Sequence, residues 1–347
     1  MEKIILICLT IILFAGCATQ AKPKEDGINI LTLMSSPAKS NDRLWIGTFQ
    51  LVFNDMKNNI IKHDIKFAGE KQTRELAGLN NEEFTSDMLN ASSFYKSYGK
   101  TSLTEKSRIE QELEQKFNTK SDIINSLDWS EGKGKYYAYA MIKKDFEFPN
   151  EFDKLEKSSF NNSSKKYNFF GINNNSKRKL YGNLNVLFYK GKNDYAVELL
   201  TKTGDKIYLY KTNSNKPFKS IFEKMEKEKT NYKGSKKFID GDTLKIPDMN
   251  IDETRSYKEL CNKTIEGTNI YFSDALETIK LEMDNKGGKV KSEAVIMAKL
   301  SAMPPIHKKT IPRNFNFDKT FVMFLVDKDK KDPYLALQIR DLNKFTK

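Results

Sequence analysis

At 347 residues the chain is long enough to bury a large core, and β-rich architectures of this size can be one domain. Its formal charge of +13 comes from lysines spread thinly along the chain, with no arginine-rich helix and no alternation of aromatic and basic residues. That pattern excludes the usual nucleic-acid modules and fits a solvated surface close to anionic envelope polymers.

The chain opens Met1-Glu-Lys3, then runs through eleven residues of apolar type from Ile4 to Phe14 to Ala15-Gly16-Cys17. A bilayer-spanning helix needs about 20 residues, so this run has instead the length of a signal-peptide core. Small residues directly before a cysteine resemble a bacterial lipoprotein signal. The resemblance implies removal of residues 1–16 and diacylation of the Cys17 sulfur, although Phe14 stands where leucine is usual. A plain cleaved signal is the alternative. Either way the mature chain is exported; with the lipid it would be anchored to a membrane of the cell envelope. Cys8 leaves with the signal and Cys17 carries lipid, so Cys261 remains alone and the core must stabilise the fold without an intramolecular disulfide.

Residues 17–29 read as a polar tether and 30–347 as a single domain. Ile30–Met34 has strand character. From Asn41, Trp45, Phe49, Val52, Phe53 and Met56 recur at helical spacing behind an Asn41 or Asp42 cap. Residues 60–100 carry no single period. A second helix is predicted from about Thr104 to Phe117 with Ile109, Leu113 and Phe117 inward, and a short one over Lys120–Trp129. Tyr136–Phe148 reads as one long strand ending at Pro149. Strand runs follow at Tyr167–Ile172, Leu184–Tyr189, Tyr195–Leu200 and Lys206–Tyr210, separated by Asn-, Gly- and Lys-rich turns that imply antiparallel pairing. A helix over Lys216–Lys229 presents Phe218, Ile221, Phe222 and Met225. Thr243–Ile251 alternates around Pro247, which cannot donate to a ladder and implies an edge or a bend. A helix is predicted over Tyr257–Lys263.

The C-terminal stretch organises the rest. Leu281-Glu-Met-Asp-Asn-Lys-Gly287-Gly288 leads into a run to Leu300, then Ser301-Ala-Met-Pro304-Pro305 and the strand Phe317-Asp-Lys-Thr-Phe321-Val-Met-Phe-Leu-Val326. Beyond Gly287 the run alternates. Gly288, Val290, Ser292, Ala294, Ile296 and Ala298 share one face, small or apolar, and Lys289, Lys291 and Glu293 lie on the other. This hinge, small-residue run, double proline and final strand resemble the hinge, reactive-centre loop and C-terminal hairpin of the serpins, protease inhibitors of the α+β class. Thr243–Ile251 and the segment from about residue 120 to 342 resemble the same family in order, with the specific matches in the last hundred residues.

The resemblance implies a serpin-like fold with a large central, mostly antiparallel sheet, additional sheets, N-terminal helices and an exposed loop at about 287–305. It implies a serine or cysteine protease as partner, which attacks the loop near Ser301–Ala302, with Leu300 or Lys299 as alternative specificity residues. Residues 288–300 would then enter the sheet through the hinge formed by Gly287, Gly288, Val290, Ser292 and Ala294. Inhibitory members carry Thr or Ser where Gly288 stands and an alanine-rich run at Val290–Glu293, so a non-inhibitory binding or structural lipoprotein of this fold is the second reading. The mechanism needs no catalytic residue, cofactor or small-molecule substrate. No Cys-x-x-Cys, His-Glu-x-x-His or Gly-x-Ser-x-Gly occurs, His63 and His307 are far apart, and Glu82-Glu83 reads as surface charge, so an enzyme is not expected.

Overall fold

The computed structural model describes residues 27–40, 42–132, 135–290 and 312–346. In chain order it forms β1 (Asn29–Ile30), β2 (Arg43–Ile46), α1 (Thr48–Asp55) with a π-helical continuation over Met56–Ile61, and α2 (Arg74–Asn80). Next come β3 (Phe94–Lys100), α3 (Leu103–Phe117), β4 (Tyr136–Ile142) and β5 (Lys144–Glu147). The middle of the chain supplies β6 (Asp153–Ser159), β7 (Lys166–Ile172), β8 (Leu184–Gly191), β9 (Asp194–Leu200), β10 (Lys206–Lys211) and α4 (Phe218–Asn231). The last third supplies β11 (Thr243–Pro247), β12 (Met249–Ser256), β13 (Leu276–Met283), β14 (Gly287–Val290), β15 (Asn314–Asn316), β16 (Phe321–Val326) and β17 (Pro333–Ile339).

Every residue of β16 and β17 is buried, because their near-continuous apolar runs need cover on both faces. They form the middle of a seven-stranded sheet ordered β1-β2-β17-β16-β10-β9-β8, antiparallel except for β1–β2. α4 covers this sheet with Phe218, Ile221 and Met225, and the Phe222 ring meets Phe324 edge-on at 5.1 Å. A second sheet runs β15-β11-β7-β6. Pro247 ends β11, and the chain turns at Asp248 into β12 of a third sheet, so the proline marks the expected bend. That third sheet, β12-β13-β14-β5, is antiparallel throughout, and β3–β4 form a separate pair.

The α+β class and the four strand runs from Tyr167 to Tyr210 stand as read from the sequence, as do Ile109, Leu113 and Phe117 as the buried stripe of α3. Four local expectations are corrected. Residues 43–46 form a strand, since β17 offers Leu44–Ile46 a ladder and α1 begins only after Gly47. The long strand at Tyr136–Phe148 is two, broken at Lys143, whose buried ammonium turns aside to donate to the Phe117 carbonyl at 2.7 Å. Residues 120–129 keep one 3-10 turn, Ile124–Ser126, because Trp129 Nε1 donates back to the Ile124 carbonyl at 2.8 Å. Residues 257–263 likewise keep one turn, Lys258–Leu260, with Tyr257 fully buried before it.

Candidate functional site: the hinge strand and the slot beyond it

Between β13 and β14 the chain reverses over three residues. Asp284 Oδ1 accepts the N–H of Lys286 at 2.8 Å, and the Asp284 N–H donates to the Gly287 carbonyl at 2.8 Å. Gly287 follows at φ +156°, and a Cβ there would lie 2.0 Å from the Phe146 carbonyl oxygen. A Cβ on Gly288 would lie 2.5 Å from both the Glu282 carbonyl oxygen and the Phe146 ring. Gly287 is therefore required by the close approach of the β5 backbone, and Gly288 by the β13 carbonyl and the β5 ring together. Gly288 makes room for the buried ring of Phe146.

β14 is hydrogen-bonded on both sides. It pairs with β13 through Glu282↔Lys289 and Met283↔Gly288, and with β5 from Gly287↔Glu147 to Val290↔Lys144. Both pairings are antiparallel, so β13 and β5 run parallel to each other with β14 between them. Val290 is buried at 4% exposure while Lys289 faces solvent, in the alternation expected from the sequence.

Past Val290, β13 and β4 continue with no strand between them among the described residues. The gap is a cavity of about 210 Å³. Ala138, Ala140 and Ile142 of β4 form one wall, Glu277 and Ile279 of β13 the other, and Phe49, Val52 and Phe53 of α1 form the floor. Asp122, Leu127 and Trp129 of the segment between α3 and β4 also line the cavity, and Asp122 pairs with Lys280 of β13 at 3.1 Å.

A buried ion cluster lies at the head of this region. Lys144, opposite Val290, places its ammonium 2.7 Å from both Asp205 Oδ1 and Asp327 Oδ1. Burial pushes the Asp205 carboxyl up. Burial acts the same way on Asp327, but hydrogen bonds from Lys144, Ser93 and the Asn90 N–H outweigh it and hold that carboxyl well below its ordinary range. In the second sheet, Arg313 grips Asp242 at 2.7 Å and donates to the carbonyls of Ser235 and Lys237, which fixes the start of β15 against β11.

Of the residues singled out in the sequence, Gly287, Gly288 and Val290 come together in β14. Cys17, Ser292, Ala294, Lys299, Leu300, Ser301, Ala302 and His307 lie outside the described residues. His63 is solvent-exposed. Burial raises the Cys261 thiol, which donates to the Tyr257 carbonyl. Among the described residues no three His, Cys, Asp or Glu side chains gather as a metal site. Glu82 and Glu83 are engaged with neighbours: Lys57 lies 3.0 Å from Glu82, and Ser35 donates to Glu83 at 2.7 Å. Sequence reading missed Glu277, although a signal was present: it stands in phase with Ile279, Leu281 and Met283, the inward face of β13. Lys144 and Phe146 carried no such signal.

No protein-family model matches the chain, and no curated protein matches it. Among solved structures the chain is similar to serpins. Thyroxine-binding globulin in complex with thyroxine aligns at a TM-score of 0.43 and 12% identity, over 70% of this chain and 65% of that one. Serpin48 of the insect Tenebrio molitor aligns at 0.42 and 13% identity, over 79% and 83%. Human thyroxine-binding globulin in a second structure aligns at 0.41 and 13%, over 71% and 66%. The chain thus spans about two thirds of the length of the first of these.

Proposed function

We propose that the protein is a serpin-like protease inhibitor of the cell envelope that acts by strand insertion. The observation that carries the reading is β14. The first residues after the hinge already lie between two strands that run parallel to each other, and those strands part just beyond Val290 around a slot whose walls, apart from Glu277, are small or apolar. Continuing the two registers, Val290↔Lys144 and Glu282↔Lys289, would set residue 292 between Ile142 and Ile279 and residue 294 between Ala140 and Glu277. Ser292 and Ala294 are small enough for those places.

In this mechanism the nucleophile of a serine or cysteine protease attacks the carbonyl carbon of the bond near Ser301–Ala302. The peptide bond breaks, the new amine leaves on Ala302, and Ser301 stays on the enzyme as an ester or thioester. The freed segment then zips into the slot below β14. Each new ladder bond contributes ~0.5–1.5 kcal/mol net, and the apolar face is buried at about 25 cal/mol per Å². Insertion has to outrun hydrolysis of the acyl bond, and a strand whose first turn is already seated starts with its nucleation done. A diacylated Cys17 would hold the domain at a membrane through the tether.

The test is incubation of the chain from Ala18 onward with a panel of serine and cysteine proteases. A covalent complex stable to denaturing electrophoresis is the expected result. Cleavage of the loop with no such complex from any protease, and no gain in melting temperature, overturns the inhibitor reading and leaves a binding or structural protein.

A further inference from the structure

Glu277 joins two elements that line the slot. Its side chain is only 3% exposed. Oε1 accepts the N–H of Phe49 at 3.1 Å, and Oε2 accepts the Tyr257 hydroxyl at 2.7 Å. Phe49 is the second residue of α1, and Gly47 before it offers no side-chain cap. The strand carboxyl therefore satisfies a helix-terminal donor that α1 leaves open. The Phe49 and Tyr257 rings stack at 3.6 Å and close the seam around it.

We propose that Glu277 is a proton-operated clasp: protonated, it keeps β13 against α1 and the slot narrow; ionised, it favours an opened seam in which the carboxylate meets water. A carboxylate in an enclosed site without a counter-ion is costly, and among the described residues no cation forms an ion pair with Glu277. The first turn of α1 has no acidic group, and Thr48, Phe49, Gln50 and Leu51 bring no cation. From β12, Arg255 is nearby, but its guanidinium lies over the Tyr257 ring at 4.0 Å and is bonded to the Ile30 carbonyl and to Glu259. Across the cavity Asp122 and Lys280 pair with each other, Lys143 is bonded to the Phe117 carbonyl, and Asp274 adds a like charge. Tyr257, its phenol pushed far up by burial, stays protonated: it donates to the carboxylate, and its oxygen accepts the Oε2–H of the acid across the same 2.7 Å contact.

Burial accordingly raises the Glu277 carboxyl from 4.5 to about 7, against the pull of Tyr257, the Phe49 N–H and Arg255. A raised value means that the closed seam is favoured in full below pH 4.5 and loses that advantage as pH rises through 7. Any opening that hydrates the group returns it toward 4.5, so the opening equilibrium climbs by up to ~10-fold per pH unit between the two values and then levels off. For strand insertion, a consequence that rests on the reading above, the slot is harder to open in mild acid than at neutral pH.

Hydrogen exchange on the intact full chain tests the clasp. Opening constants for the amides of residues 49–53 and 278–281, corrected for intrinsic exchange, are measured between pH 5.5 and 7.5. The expected result is a rise of roughly tenfold or more in the wild type and a flat profile in Glu277→Gln. A flat wild-type profile, or the same slope in Glu277→Gln, overturns the proposal. If Glu277→Gln does not fold, Tyr257→Phe serves: it removes a donor from the ionised form and should move the plateau to higher pH, and an unmoved profile overturns the proposal equally. No protease or cleaved chain enters this measurement, so its failure and a failure of the inhibitor reading are separate results.

Discussion

Lys144→Met removes the single cation shared by two buried carboxylates at the head of the slot. In the wild type the ammonium is 2.7 Å from Asp205 and from Asp327, whose side chains are 3% and 0% exposed, and is itself 12% exposed. Methionine matches the lysine stem in volume, so the packing loss is small and the electrostatic loss dominates. Breaking a buried pair from one side costs about 3–5 kcal/mol, because a desolvated charge is left behind. The Asn90 donors to Asp327 remain and keep the figure toward the lower end. The assay is urea unfolding at pH 7.5, where the midpoint should fall with an unchanged slope. Asp327, depressed in the wild type, contributes stability above its unfolded pKa that is lost as pH falls toward its folded one. In Lys144→Met the unpaired carboxyls are raised instead, so the deficit should shrink between pH 7.5 and 5. Adding Asp205→Asn should recover about half of the loss by removing one stranded charge. A deficit under about 1 kcal/mol, or one that neither acid nor Asp205→Asn reduces, would refute the claim that this cluster holds β5 in place.

Gly288→Val places a branched side chain where a Cβ already meets Phe146 and the Glu282 carbonyl, so β14 should leave the sheet. The check is loss of amide protection at residues 288–290 with a fold otherwise intact by circular dichroism; retained protection would contradict the packing account. Ser292→Glu would carry a charge between Ile142 and Ile279 on insertion, at a cost of several kcal/mol. It should therefore abolish the rise in melting temperature that follows loop cleavage, whereas Lys291→Glu should keep most of it; equal behaviour of the two variants would rule out the register. Cys17→Ser should shift the protein from the membrane to the soluble fraction or block its maturation, and unchanged detergent partitioning would remove lipidation from the reading.

The strand runs from Tyr167 to Tyr210 and the inward stripe of α3 could be read directly, because in each case the residue period and the local turn chemistry agree with the final packing. The alternation after Gly287 likewise fixed which side of β14 is buried, as Val290 and Lys289 demonstrate. Tertiary structure decided what the period could not. Trp45 fits a helical stripe with Phe49, yet a ladder with β17 claims Leu44–Ile46 as a strand. Lys143 sits in an unbroken strand pattern, yet the carbonyl end of α3 draws its ammonium away and splits the strand. Lys144 meets Asp205 and Asp327 from positions 61 and 183 residues distant, and Glu277 reaches Phe49 across 228. A residue's own sequence neighbourhood determines its face and its local turn. Which strand lies beside it, and whether a buried charge finds a partner, depends on chain segments that meet only once the sheets have assembled.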